Sequence, residues 1–80
     1  MFFTYILKSE KCGSHYYGHC KDLAGRLKNH NTGKVRSTKS KRPWKILYYE
    51  EFKSKSEAYK RELYFKSRSG YKFLTKEGII

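Results

Sequence analysis

Apolar residues in this chain follow two different spacings, and the spacing changes near residue 22. From Phe2 to Lys8 the side chains alternate. Phe3, Tyr5 and Leu7 fall on one face and Phe2, Thr4 and Ile6 on the other. Both faces are apolar, which predicts a central strand rather than one wetted on one side. Ser9–Ser14, with Cys12-Gly13-Ser14 near its end, reads as a hairpin loop, and His15–Gly18 as the short returning strand. That loop suits an antiparallel pair and is far too short for a parallel crossover.

The spacing then becomes helical. Asp22 is a good N-cap, Leu23, Leu27 and His30 follow at i, i+4 and i+7, and Asn31-Thr32-Gly33 is a stop signal. The predicted helix is about Leu23–His30. Thr32–Arg42 is a polar, basic loop ended by Pro43, and Trp44–Phe52 is rich in aromatic and branched residues, which predicts a third strand. Ser54–Ser56 offers caps for a second helix, with Glu57 in its first turn where the dipole favours an anion. That helix should run to about Phe65 or Ser67. Ser69-Gly70 breaks the pattern, and Tyr71–Ile80 is read as a last short helix or tail. The order β-β-α-β-α predicts an α+β fold (mixed α/β), with helices packed on a three-stranded sheet. Eighty residues make one domain, 1–80.

Composition sharpens this picture. Eight Tyr, five Phe and one Trp can fill a small core, and 38% apolar residues is too many for a disordered basic tail. The 19 Lys and Arg against 7 Asp and Glu leave a net charge of +12. Such charge repels itself in a compact fold, and a polyanion would offset the repulsion. Nucleic acid is the first candidate, an anionic membrane the second, and a surface kept basic for solubility the third. No long amphipathic basic helix with exposed Leu or Phe is evident, which disfavours the membrane. Met1–Leu7 is too short for a span or signal peptide and lacks a basic n-region. Two cysteines, Cys12 and Cys20, make no disulfide framework, so an intracellular, cytoplasmic location is the expectation.

Several side chains could carry chemistry. Ala58, Glu62 and Phe65 share one helical stripe, so Glu62 lies on or beside the inward face. A buried carboxylate needs a cation or hydrogen bonds. The plainer account is an edge glutamate paired with Lys66 at i+4. Arg26 and His30 project together from the first helix, though Arg26 also reads as a surface cation and His30 as a residue suited to a helix C-terminus. Tyr5 and Tyr16 on the hairpin strands read first as packing residues, and Gly18 permits a tight exit or close approach. Cys12, His15, His19 and Cys20 superficially invite zinc. His15 and His19 lie at opposite ends of a short strand, however, and His19 and Cys20 would project apart. The loop cations Lys34, Arg36, Lys39, Lys41 and Arg42, with Lys28 on the helix, suit phosphate contacts of little sequence preference.

The ordered set Thr4-Tyr5-Ile6, Tyr16-Tyr17-Gly18, Arg26, His30 and Glu62 resembles the GIY-YIG nuclease family. Asp22-Leu23, Arg26-Leu27, His30-Asn31 and Gly33 look like the family's stretch after its second tyrosine motif. Arg42-Pro43-Trp44-Lys45 and Glu57-Ala58, Arg61-Glu62 and Lys66 resemble small stand-alone members related to the UvrC nuclease domain. The likeness spans roughly Phe2 to Lys66. Phe3-Thr4 stands where the family's Gly-Ile precedes the first tyrosine, and Tyr17 takes the middle of the second motif. The resemblance implies a small antiparallel three-stranded sheet flanked by helices, and divalent-metal-dependent hydrolysis of DNA phosphodiesters, in repair or on structured DNA. It implies that Glu62 anchors Mg²⁺ or Mn²⁺, with water and phosphate oxygens completing the shell. Tyr5 would help activate the attacking water, with His30 in a relay or holding a tyrosine hydroxyl. Tyr16 would orient water or phosphate, and Arg26 would stabilise the transition state. The alternative is a non-catalytic nucleic-acid-binding module on the same fold. In either case a lone domain would need DNA shape, a protein partner or a homo-oligomer for targeting.

Overall fold

A computed structural model describes residues 1–80. Strand β1 is Phe2–Ser9, β2 is His15–Cys20 and β3 is Trp44–Phe52; helix α1 is Leu23–Asn31, α2 is Lys55–Lys66 and α3 is Arg68–Lys76. The sheet order is β2-β1-β3, antiparallel throughout. The strand with two apolar faces is therefore the central one, as its pattern predicts. Each face has its own core. Tyr5, Leu7 and Trp44 pack with Leu23 and Leu27 of α1, while Ile6 packs with Phe65 of α2 and Leu74 of α3.

The caps follow the sequence. The Asp22 side chain accepts from the Gly25 N–H at 3.1 Å, and the Ser54 hydroxyl accepts from the Glu57 N–H at 3.2 Å. Helix α2 is tied to the sheet by the Thr4 hydroxyl, which donates to the Ala58 carbonyl at 2.7 Å. Ala58, Glu62 and Phe65 are its buried residues, on the stripe their spacing predicts.

Three local readings need correction. Thr32–Arg42 is not a free loop, because Arg36–Lys41 forms a 3-10 helix that turns Thr38 inward. The cations Lys34, Arg36, Lys39, Lys41 and Arg42 remain exposed, as does Lys28. Gly70 does not break a helix. It lies inside α3, and a Cβ there would sit 1.8 Å from the Tyr64 carbonyl oxygen. Ser67 separates the two helices instead: its extended backbone ends α2 and its hydroxyl caps α3. The last helix thus ends at Lys76, and Ile79 and Ile80 pack on the Ile6, Phe65 and Leu74 cluster. No helix is long and apolar enough to cross a membrane.

Candidate active site

Alternation along β1 and β2 sorts the candidate residues onto two faces of the sheet. Tyr5 sits opposite Gly18, and their neighbours Thr4 and His19 are also opposite each other. Tyr5, Tyr16 and Gly18 therefore face α1, while His19 faces α2. Gly18 is where the tyrosine needs room. A Cβ there would come within 2.5 Å of the Tyr5 hydroxyl oxygen, so only glycine lets the phenol lie across the strand.

On the α1 face, a connected set forms. The Tyr5 hydroxyl is 3.1 Å from His30 Nε2, and Arg26 Nε donates to the same hydroxyl at 3.4 Å. His30 Nδ1 is 2.8 Å from the Thr38 hydroxyl. Tyr16 packs edge-on to His30, with ring centroids 4.8 Å apart. Tyr5 and His30 are both buried. Burial pushes the Tyr5 phenol up to about 12, against the hydrogen bond from Arg26. Burial pushes His30 down to about 4, helped by the nearby Arg26 charge. Both are therefore neutral near pH 7.

On the other face, Glu62 is buried and doubly held. Lys66 Nζ donates to Oε2 at 2.8 Å and His19 Nδ1 donates to Oε1 at 2.7 Å. Burial raises its carboxyl, but the hydrogen bonds from Lys66 and His19 outweigh that and hold it below the usual carboxylate range. Glu62 is thus an anion at neutral pH. Both accounts of this residue hold at once, since it faces inward and also pairs with Lys66. His19 is a site residue that sequence reasoning placed only in a rejected zinc cluster. Its bond to Glu62 spans 43 positions and depends on strand register, which no local pattern encodes. Cys12 is far from it in role, bonded to Ser9 and Ser14 in the hairpin.

The two sets make no direct hydrogen bond, but one member of each, Arg26 and His19, lines the same opening. A cleft of about 480 Å³ at the end of β2 is lined by Phe2, His19, Cys20, Lys21, Arg26 and Lys55. Arg26 leads from its wall to Tyr5 and His30, and His19 leads from it to Glu62. Tyr16 lies within electrostatic range of both Arg26 and Lys66. Because β2 is an edge strand, residues from both faces can meet around it. The loop cations are elsewhere: Ser9, at the far end of β1 from Phe2, donates to the Lys41 carbonyl at 2.6 Å.

A hard divalent cation fits one part of this site. It prefers oxygen, often takes only one or two protein carboxylates, and keeps several waters. Glu62 is the inward, ionised carboxylate, and Lys66 Nζ already occupies a cation's place on Oε2. Lys66 itself is exposed.

A family model described as the GIY-YIG catalytic domain matches residues 1–73. A UPF0213 protein of Staphylococcus saprophyticus is 44% identical over 73 residues, spanning 90% of this chain and 88% of that one. A UPF0213 protein of Staphylococcus aureus is 41% identical over the same length and the same shares of both chains. The solution structure of a UPF0213 protein from Bacillus halodurans superposes with a TM-score of 0.54 at 32% identity, covering 95% of this chain and 84% of that one.

Proposed function

Because the chain belongs to the GIY-YIG nuclease family, within its UPF0213 group, we propose that it is a divalent-metal-dependent endonuclease that hydrolyses DNA phosphodiester bonds. The whole chain, residues 1–80, acts as one nuclease domain, in repair or in processing of structured DNA. The observation that carries this reading is one cleft lined by both Arg26, which donates to Tyr5, and His19, which donates to Glu62.

Each side chain then has a task. Arg26 commits Nε to Tyr5, which leaves its two terminal nitrogens to grip a phosphate in the cleft and to stabilise added charge on phosphorus. Tyr5 cannot wait as a phenolate, because its proton is held too tightly. It takes a proton from the attacking water only as it passes its own to His30 Nε2. The water oxygen bonds to phosphorus, the bond to the leaving oxygen breaks, and that oxygen regains a proton from solvent. The phosphate's negative charge offsets the Arg26 charge that disfavours a protonated His30. Tyr16, packed on His30, orients water or phosphate. Glu62 would hold Mg²⁺ or Mn²⁺ through Oε2 once Lys66 swings away, with His19 keeping the carboxylate in place. When bound, that ion would neutralise phosphate charge and stabilise the leaving oxygen.

The test is nicking of supercoiled plasmid by wild type, Glu62→Ala and Arg26→Ala, with Mg²⁺, Mn²⁺ or EDTA. Wild type should nick with either metal and not with EDTA. Each substitution should lower the rate by roughly 10²–10³. Nicking that survives Glu62→Ala unchanged refutes the site. The double hold on Glu62 favours a second reading, a non-catalytic nucleic-acid-binding module. That reading wins if wild type binds DNA and cuts it with neither metal.

A further inference from the structure

We infer that Thr38 is a positioning residue, whose hydroxyl sets the tautomer of His30 and so makes Nε2 the acceptor for the Tyr5 proton. The consequence for rate rests on the nuclease reading above; the tautomer itself does not.

The argument is a count of hydrogens in a buried chain of contacts. The Thr38 oxygen lies 2.8 Å from His30 Nδ1 and 3.2 Å from the Val35 carbonyl oxygen. A carbonyl can only accept, and a threonine hydroxyl has one hydrogen to give. At the other end, the Tyr5 hydroxyl touches His30 Nε2 and Arg26 Nε, and Arg26 can only donate. Two arrangements are conceivable. In the first, Thr38 donates to Val35, His30 Nδ1–H donates to Thr38, Tyr5 donates to Nε2, and Arg26 donates to Tyr5. Every hydrogen has an acceptor. In the second, Thr38 donates to Nδ1 and His30 carries its hydrogen on Nε2. The Tyr5 oxygen then faces two donors, its own hydrogen has no acceptor in a side chain 1% exposed, and Val35 loses the hydroxyl. A buried donor without an acceptor is costly, so the first arrangement is the one adopted.

Thr38 is itself fixed in place. The indole N–H of Trp44 donates to its carbonyl at 3.0 Å, and its own backbone N–H donates to Val35 at 3.1 Å. Its side chain is buried and does not reach the cleft, so it acts only through His30. This also explains why a stretch rich in lysine and arginine turns one threonine inward: the 3-10 helix delivers that hydroxyl to the imidazole.

The test is long-range ¹H–¹⁵N NMR of the imidazole nitrogens near pH 7, where His30 is neutral. His30→Asn identifies its signals among those of the three histidines. Wild type should show a protonated Nδ1 and a bare Nε2. Thr38→Val, which keeps the shape and removes the oxygen, should move His30 to the Nε2–H form or to a mixture, and Thr38→Ser should restore Nδ1–H. Nicking by Thr38→Val should fall 10- to 100-fold at unchanged DNA affinity, with recovery in Thr38→Ser. A wild-type Nε2–H signal overturns the inference, and that measurement needs no variant to fold. Full retention of Nδ1–H in a folded Thr38→Val overturns it as well. If wild type never nicks but the tautomer shifts as described, the nuclease reading fails and the role of Thr38 stands.

Discussion

His30 shows what burial does to one side chain. It is fully buried and neutral, with Tyr5 and Thr38 on its two nitrogens. In the unfolded chain it would take a proton below about pH 6.5. In the native state it stays neutral until about pH 4. Between those values the unfolded state binds more protons, so stability rises with pH across the window. It is complete above 6.5 and lost as pH falls towards 4, by about 2–3 kcal/mol. Urea unfolding at pH 4.5, 5.5 and 7 should show this slope, and His30→Asn should flatten it. His15, also held low by burial and by Lys8, adds a smaller contribution that the variant leaves in place. A slope unchanged by His30→Asn would mean that the imidazole is not neutral in the native site. The same residue marks a limit of sequence reading. Its place beside Arg26 on α1 was legible from i, i+4 spacing. Its partners were not, because Tyr5 is reached through tertiary packing and Thr38 through a 3-10 turn hidden in a charge-rich stretch.

At the level of elements, legibility followed the range of the interaction. Caps, helix stripes and the two-faced central strand depend on neighbours within a few positions, and Asp22, Ser54 and the Ala58–Glu62–Phe65 stripe fall where spacing put them. The bulge in β3 was not legible. Ile6 pairs with Tyr48 while Leu7 pairs with Ile46, so Leu47 is an extra residue. The irregularity places Leu47 and Tyr48 together against the α2 side, where strict alternation would have separated them. The α2–α3 junction failed for a related reason. Gly70 looks like a helix breaker when only its propensity is considered, but it is a contact glycine beneath Tyr64. Gly70→Ala should therefore cost about 2–3 kcal/mol through forced displacement of α3, despite alanine's better helix propensity. A urea midpoint that rises in this variant would show that propensity outweighs the contact. Part of that junction is held by Arg61, whose Nε donates to Glu50 Oε1 at 2.7 Å while its guanidinium lies 4.8–5.0 Å from the ring centres of Tyr64, Phe65 and Phe73.

Over the whole molecule, the acids are mostly committed to structure and the cations mostly are not. Asp22 and Glu57 serve helix starts, Glu50 holds Arg61, and Glu62 holds Lys66 and His19. The cations are spread over the surface, and two groups of them bear on the proposed reading. One is the cleft with Arg26, Lys21 and Lys55 beside Phe2. The other is the Lys34–Arg42 stretch, bonded to Ser9 at the opposite end of the eight-residue β1. The two are linked through the protein, since Arg26 donates to Tyr5, Tyr5 touches His30, and His30 touches Thr38 of the 3-10 helix. On the proposed reading, the cleft acts on one phosphate and the Lys34–Arg42 stretch holds others along the same duplex. Wild-type affinity for duplex DNA should then fall by about 4–5 in log K for each tenfold rise in salt, if five phosphates are engaged. Changing Lys34, Arg36, Lys39 and Lys41 together to Gln should reduce that slope by about 3–4, since each lost phosphate contact removes roughly 0.9. Arg42 is kept because its Nε donates to the Lys39 carbonyl at 2.7 Å and braces the 3-10 helix. Fluorescence anisotropy across a salt series reads both slopes. If the variant keeps the wild-type slope on long duplexes, the Lys34–Arg42 stretch does not hold phosphates and the cleft must carry the binding by itself.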